Sequence, residues 1–97
     1  AYSEIYSCFD LAKKMAEDSI SSLENDDLER AKGVRIMATE MDTREKELRA
    51  HHMERLTQKK CSPEFTVIYT DVIHDIEKIG DYCNNIADAV IENHKVE

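Results

Sequence analysis

The residues Gln58-Lys59-Lys60-Cys61-Ser62-Pro63-Glu64-Phe65 decide how this chain of 97 residues folds. A serine side chain accepts from the first unpaired N–H groups of a helix, and proline at the first helical position gives up only an N–H that has no intrahelical partner. Ser62-Pro63 therefore closes one helical pattern and opens another. Downstream, Phe65, Ile68, Tyr69, Val72, Ile73, Ile76, Ile79, Gly80, Cys83, Ile86, Ala87 and Val90 recur at three- and four-residue spacing, which predicts a helix over about 63–94.

Upstream of the turn, Leu28, Ala31, Val34, Met37, Ala38, Met41, Leu48 and Leu56 predict a helix over about 27–58. Its start is expected at Asp26, with Glu29 three residues on, in the manner of a capping box. Asn25-Asp26-Asp27 breaks an earlier pattern of Ile5, Phe9, Ala12, Ala16, Ile20 and Leu23, which predicts a first helix over about 2–24. The short connection around residues 59–62 makes the second and third helices antiparallel neighbours. The expected fold is all-α, an antiparallel three-helix bundle forming a single domain over 1–97.

Composition agrees with that class. Charged residues make up 35% of the chain and aromatics 6%, with two glycines and one proline, which suits long helices and not a turn-rich β fold. Residues 1–27 carry seven acids and two bases, 28–61 six acids and nine bases, and 62–97 eight acids and two bases. A basic middle helix between two acidic ones favours its own pairing, although each exposed pair contributes only ~0.2–1 kcal/mol. The net charge of −8 disfavours nucleic acid and anionic lipid as partners. No apolar run approaches the roughly 18 residues of a membrane span, so direct membrane insertion of this segment is not expected. Cys8, Cys61 and Cys83 are odd in number and lack C-x-x-C spacing, which suits reduced thiols. The chain opens at Ala1 almost directly in helical pattern, and we read it as a domain of a longer protein.

A hairpin centred near Lys60 sets residues at one height when their numbers sum to about 121. Glu45 then lies opposite Glu77, and Asp42 lies near the level of Asp81. Glu45 stands between Met41 and Leu48 on the apolar stripe, where a buried acid must be paired, protonated or metal-bound. Four carboxylates without thiolates suit a hard cation such as iron, Mg²⁺, Mn²⁺ or Ca²⁺, so Glu77, Asp81, Asp42 and Glu45 are the candidate metal ligands. Neutralisation by Arg35, Arg44, Arg49 and Lys78 would leave the same site empty of metal. Asp71 and His74 have a ligand-like i, i+3 spacing, but the paired Glu-x-x-His of di-iron bundles is missing. His51 and His52 point about 100° apart and are expected in solvent and ion-pair roles. Cys83 is expected as a small core filler, Lys59-Lys60 as a helix C-terminus complementing its dipole, and Gly33 and Gly80 as points of close helix packing. No nucleophile–base pair or phosphate-cradling glycine loop is legible, and no enzyme activity is expected.

The segment Tyr69-Thr70-Asp71-Val72-Ile73-His74-Asp75-Ile76-Glu77-Lys78-Ile79-Gly80-Asp81-Tyr82-Cys83-Asn84-Asn85-Ile86-Ala87 resembles the last helix of a PhoU-family repeat, whose motif reads approximately D-I-x-x-x-x-E-R-I-G-D-x-x-x-N-I-A. The preceding Asp42-x-x-Glu45-Lys46-Glu47-Leu48-Arg49 is similar to the middle helix. The lysine-rich approach to Cys61-Ser62-Pro63 is similar to the PhoU-like domain at the cytoplasmic C-terminus of bacterial sodium/phosphate cotransporters. The resemblance implies a regulatory domain of phosphate transport on the cytoplasmic side of the inner membrane. Its partner would be a transporter membrane domain or the phosphate-transport machinery, and self-association is a further expectation. A soluble PhoU-like regulator and a carboxylate-bridged metalloenzyme are the alternatives. The resemblance also implies metal binding through E/D-x-x-x-D motifs, which Glu77 and Asp81 match. Asp42 has Ala38 four residues before it where the motif has an acid, so the cluster it implies is incomplete on the second helix.

Overall fold

The computed structural model describes residues 2–58 and 62–96, and side chains over 3–58 and 62–94. Three helices follow one another along the chain: α1 (Tyr2–Asn25), α2 (Leu28–Thr57) and α3 (Pro63–Val96). They pack into a rod of 56 × 18 × 17 Å, in which every pair of helices is in contact. The all-α, three-helix expectation is met.

Two local devices set the helix ends. Ser62 Oγ accepts from the Phe65 N–H at 3.2 Å, and Pro63 opens α3. At the α1–α2 junction the cap differs from the expected one. Asp26 adopts a left-handed conformation with φ 53°, and the Asp27 N–H donates to the Ser22 carbonyl at 2.9 Å. This six-residue closure terminates α1 and leaves Asp26 outside both helices. The N-cap of α2 is therefore Asp27, whose Oδ1 accepts from the Arg30 N–H at 3.1 Å. One residue serves as the last of one motif and the first of the next, so the connection needs no further length.

The core runs the length of the rod: Leu11 and Met15 from α1, Val34, Met41 and Leu48 from α2, and Tyr69, Ile73, Ile76 and Val90 from α3, with Cys8 and Cys83 also buried. Burying each large side chain contributes ~1.5–3 kcal/mol. Both thiols are free, and burial pushes each pKa up, which fits Cys83 as an apolar filler.

The inward face of α1 is not the one its largest residues suggest. Cys8, Leu11, Ala12, Met15, Ser19 and Ser22 face the core, while Phe9 is 44% exposed, Ile20 50% and Leu23 59%. The physical reason is volume. α2 and α3 already deliver Met41, Leu48, Tyr69 and Ile76 to the axis, so α1 fits with its narrower stripe inward. The two buried serines satisfy their hydroxyls within α1, Ser19 on the Ala16 carbonyl at 3.1 Å and Ser22 on the Ser19 carbonyl at 2.7 Å.

Neither glycine sits at an approach too close for a side chain. Gly80 stands where the three helices meet, and a Cβ there would touch Met41 and Met15 at ordinary contact distances of 3.7 and 4.0 Å. A Cβ on Gly33 would meet nothing within 4 Å, so close packing does not account for that glycine. Gly33→Ala is expected to stabilise the bundle by about 0.5–1 kcal/mol through helix propensity, and Asp27→Ala to destabilise it by about 1 kcal/mol through loss of the cap. Thermal melts of the two variants against the parent chain check both signs.

Candidate metal centre at the α2–α3 seam

The antiparallel register brings α2 and α3 together as the turn requires. His52 stacks on Tyr69 with ring centroids 4.5 Å apart, Gly80 faces Met41, and Arg35 Nε reaches Asp88 at 3.3 Å. Between these heights, Asp42 and Glu45 from α2 and Glu77 and Asp81 from α3 line one cleft, with Ala38, Met41, Gly80 and Asn84 forming its other walls. An open basin continues from it, bordered by Lys46 and Arg49. Periodicity explains the grouping: Glu77 and Asp81 are one turn apart on α3, and Asp42 and Glu45 are three residues apart on α2.

The four acids are not equivalent. Asp42 and Asp81 are exposed, Glu77 is half-buried, and Glu45 is 5% exposed. Arg49 forms an ion pair with Glu77 across the seam. Glu45 Oε1 is buried and has no hydrogen-bond partner. Removal from water raises the Glu45 pKa to about 7, and the charges of Glu77, Asp42 and Asp81 push the same way while Arg49 opposes them. A value near 7 leaves Glu45 poised between its protonated and charged forms at neutral pH.

Side-chain positions limit what the seam holds as it stands. Among the described residues, no group of three or more His, Cys, Asp or Glu side chains is placed to hold a metal ion. The donors are nevertheless of one kind, carboxylate oxygens, and the orphaned Glu45 oxygen is the type of group a cation would satisfy. Glu40, near the position where the motif lacks an acid, turns away to pair with Arg44. Arg44 also donates to the Ser7 carbonyl and hydroxyl on α1. It therefore does not serve the four acids, and Lys78 has no ion-pair partner among the described residues.

A second polar cluster, not visible in the sequence, ties the other end of the rod. His51 Nδ1 lies 2.6 Å from Glu4 Oε2, and Arg55 Nη2 donates to the Tyr69 hydroxyl at 3.0 Å while facing Glu4 with its other Nη. His51 thus holds an ion-pair position. His52, expected in solvent, is instead buried against Tyr69, with neither ring nitrogen hydrogen-bonded and its pKa lowered by burial and by Arg55. The missed signal was spacing: His52 continues the inward stripe of Met41, Glu45 and Leu48. Asp71 and His74 are both exposed on α3 and belong to no metal-ligand group among the described residues, and Lys59 and Lys60 lie outside the described residues.

The raised Glu45 pKa carries a sign for stability. The folded state binds a proton that the unfolded state releases near pH 4.5, so stability falls as pH rises from there through about 7 and then levels. Glu45→Gln is expected to remove that fall, gaining on the order of 2 kcal/mol over the parent at pH 8 and little at pH 4. Denaturant melts across this range, with chelator present, check the difference; His52 contributes equally to both proteins and cancels.

The helical fold, the four-carboxylate seam and the Glu77-Lys78-Ile79-Gly80-Asp81 segment can be set beside known proteins. No solved structure matches the chain. It is 26% identical over 88 residues to a phosphate-specific transport system accessory protein, PhoU homolog 1 of Thermotoga maritima, an alignment covering 91% of this chain and 38% of that protein. The chain thus spans well under half the length of this curated relative. The PhoU domain family matches residues 5–90, through all three helices, and the chain belongs to that family.

Proposed function

We propose that this chain is a non-catalytic regulatory or accessory module of phosphate transport. The match to the PhoU domain over residues 5–90 carries the reading, and the relative named as a phosphate-transport accessory protein supports it. The finer form is the cytoplasmic C-terminal module of a sodium/phosphate symporter, acting on the membrane domain through helix-to-helix contacts. The Ser62-Pro63 turn with its lysine-rich approach supports it. No helix among the described residues is long and apolar enough to cross a membrane, so anchorage would come from the rest of such a symporter. A second reading, one repeat of a PhoU-like regulator that is not membrane-attached, is favoured by the 38% share of the Thermotoga protein that the chain covers.

The seam would serve as a regulatory cation site. Glu77 and Asp81 would hold a hard cation, iron, Mg²⁺, Mn²⁺ or Ca²⁺, with Asp42 and Glu45 facing them. Such an ion supplies positive charge where four carboxylates meet, and its binding competes with the Arg49–Glu77 pair and with the proton on Glu45. The chain's own part is to bring the acids to one height and to hold Glu45 out of water.

Deleting this segment from the parent gene is expected to alter labelled-phosphate uptake by intact cells at low or high external phosphate; unchanged uptake in both regimes rejects the regulatory reading. Membrane spans encoded in the same gene select the symporter form over the second reading. Protein purified without chelator should retain more metal than a Glu77→Ala/Asp81→Ala variant by elemental analysis. Equal content in the two removes the cation site and leaves the rest of the reading standing.

A further inference from the structure

We infer that the groove between α1 and α3, on the side of the bundle away from α2, docks an amphipathic helix with basic flanks supplied by another protein. The apolar stripe that α1 withholds from the core forms one wall. Near the start of the rod, Ile5, Tyr6 and Phe9 face Phe65, Ile68 and Val72 across an open cleft of about 240 Å³. Helical spacing carries the stripe on to Ile20 and Leu23 in α1 and to Ile79 and Tyr82 in α3, all four exposed. From Tyr6 to Leu23 the α1 wall is about 26 Å long, the length of a helix of roughly 17 residues. A straight, apolar groove between two parallel helices accepts a helix laid along it and completes a four-helix packing.

Charge says which helix. The rim carries Asp10, Glu17 and Glu24 on α1 and Glu64, Asp71 and Asp75 on α3, all exposed, against Lys13 and Lys78. None of these six acids has an ion-pair partner among the described residues. All five arginines of the chain lie in α2 and each is paired: Arg30 with Asp18 of α1 and with the cap Asp27, Arg55 with Glu4 of α1, Arg35 with Asp88 and Arg49 with Glu77 of α3, and Arg44 with Glu40 within α2. α2 thus pairs four acids on its two seams, whereas none of the rim acids of the third, apolar seam is paired among the described residues. A second copy presenting the same face would set rim acid against rim acid, and an anionic membrane would be repelled in the same way. A basic amphipathic helix satisfies both features together. The inference stands on these contacts and not on the phosphate-transport reading.

The test uses the full 97-residue chain and three labelled synthetic peptides of one length. One has leucines on one helical face and lysine and arginine on its flanks, one keeps that composition in scrambled order, and one keeps the leucines with glutamate flanks. Fluorescence anisotropy at low salt should show the first binding at least about tenfold more tightly than the others, and weakening as salt rises. Ile20→Glu and Ile68→Glu should each cost about tenfold or more in that affinity, while an unchanged thermal melt shows the core intact. Shift changes in a ¹⁵N-labelled sample should follow α1 and α3 and spare the outer face of α2. Equal binding of the scrambled peptide, or wild-type affinity in both variants, overturns the proposal. It is equally overturned if sedimentation shows a dimer broken by Ile68→Glu, or if the chain binds phosphatidylglycerol vesicles through the same residue.

Discussion

The antiparallel register of α2 against α3 is the constraint on which the rest of the molecule depends. A connection of a few residues, closed by Ser62 and Pro63, leaves the two helices one way to lie along each other. The stack of His52 on Tyr69, the meeting of Gly80 with Met41 and the ion pairs of Arg49 with Glu77 and Arg35 with Asp88 all belong to that single alignment. The same alignment forces Glu45 toward three other carboxylates. A slip of one residue would turn each of these side chains about 100° away from its partner. The acidic seam is thus as much a product of the hairpin as the core is.

Charge is partitioned by helix, and the partition shapes the three seams differently. α2 holds every arginine, and four of them pair with acids on its neighbours. Surface pairs of this kind add little stability each, so their value lies in choosing which helix sits beside which. What α2 cannot reach is the α1–α3 seam, where apolar side chains and unpaired acids share a surface. The α2–α3 seam has the opposite character: it is narrow, bridged by Arg49, and contains one acid held at the edge of ionisation. One bundle therefore presents a carboxylate-lined cleft and an apolar groove.

Glu45 shows how a local irregularity perturbs a titrating group. A glutamate at an inward position costs stability once it is charged, by an amount set by its desolvation and by the acids around it. The fold accepts this without pairing the acid, since Arg49 is engaged by Glu77. A carboxyl group in that condition shifts its ionisation with small changes in the charge around it.

The three helices, the Ser62-Pro63 boundary and the juxtaposition of Asp42, Glu45, Glu77 and Asp81 were legible in the sequence, because periodicity, caps and a short connection act over one or two turns and leave little to tertiary choice. The residues themselves also fixed that Glu45 could not be an ordinary surface acid, since it interrupts a stripe that must face inward. Tertiary structure decided what local rules leave degenerate. α1 carries two apolar stripes, and only the volume already filled by α2 and α3 determines that Ala12, Met15 and Ser19 go in while Phe9, Ile20 and Leu23 stay out. Asp26 and Asp27 are equally good caps by type, and the left-handed turn at Asp26 selects the second. His52 and Glu45 lie on one buried stripe, yet their protonation depends on which charges stand opposite, which is a property of three helices in register and of no single one.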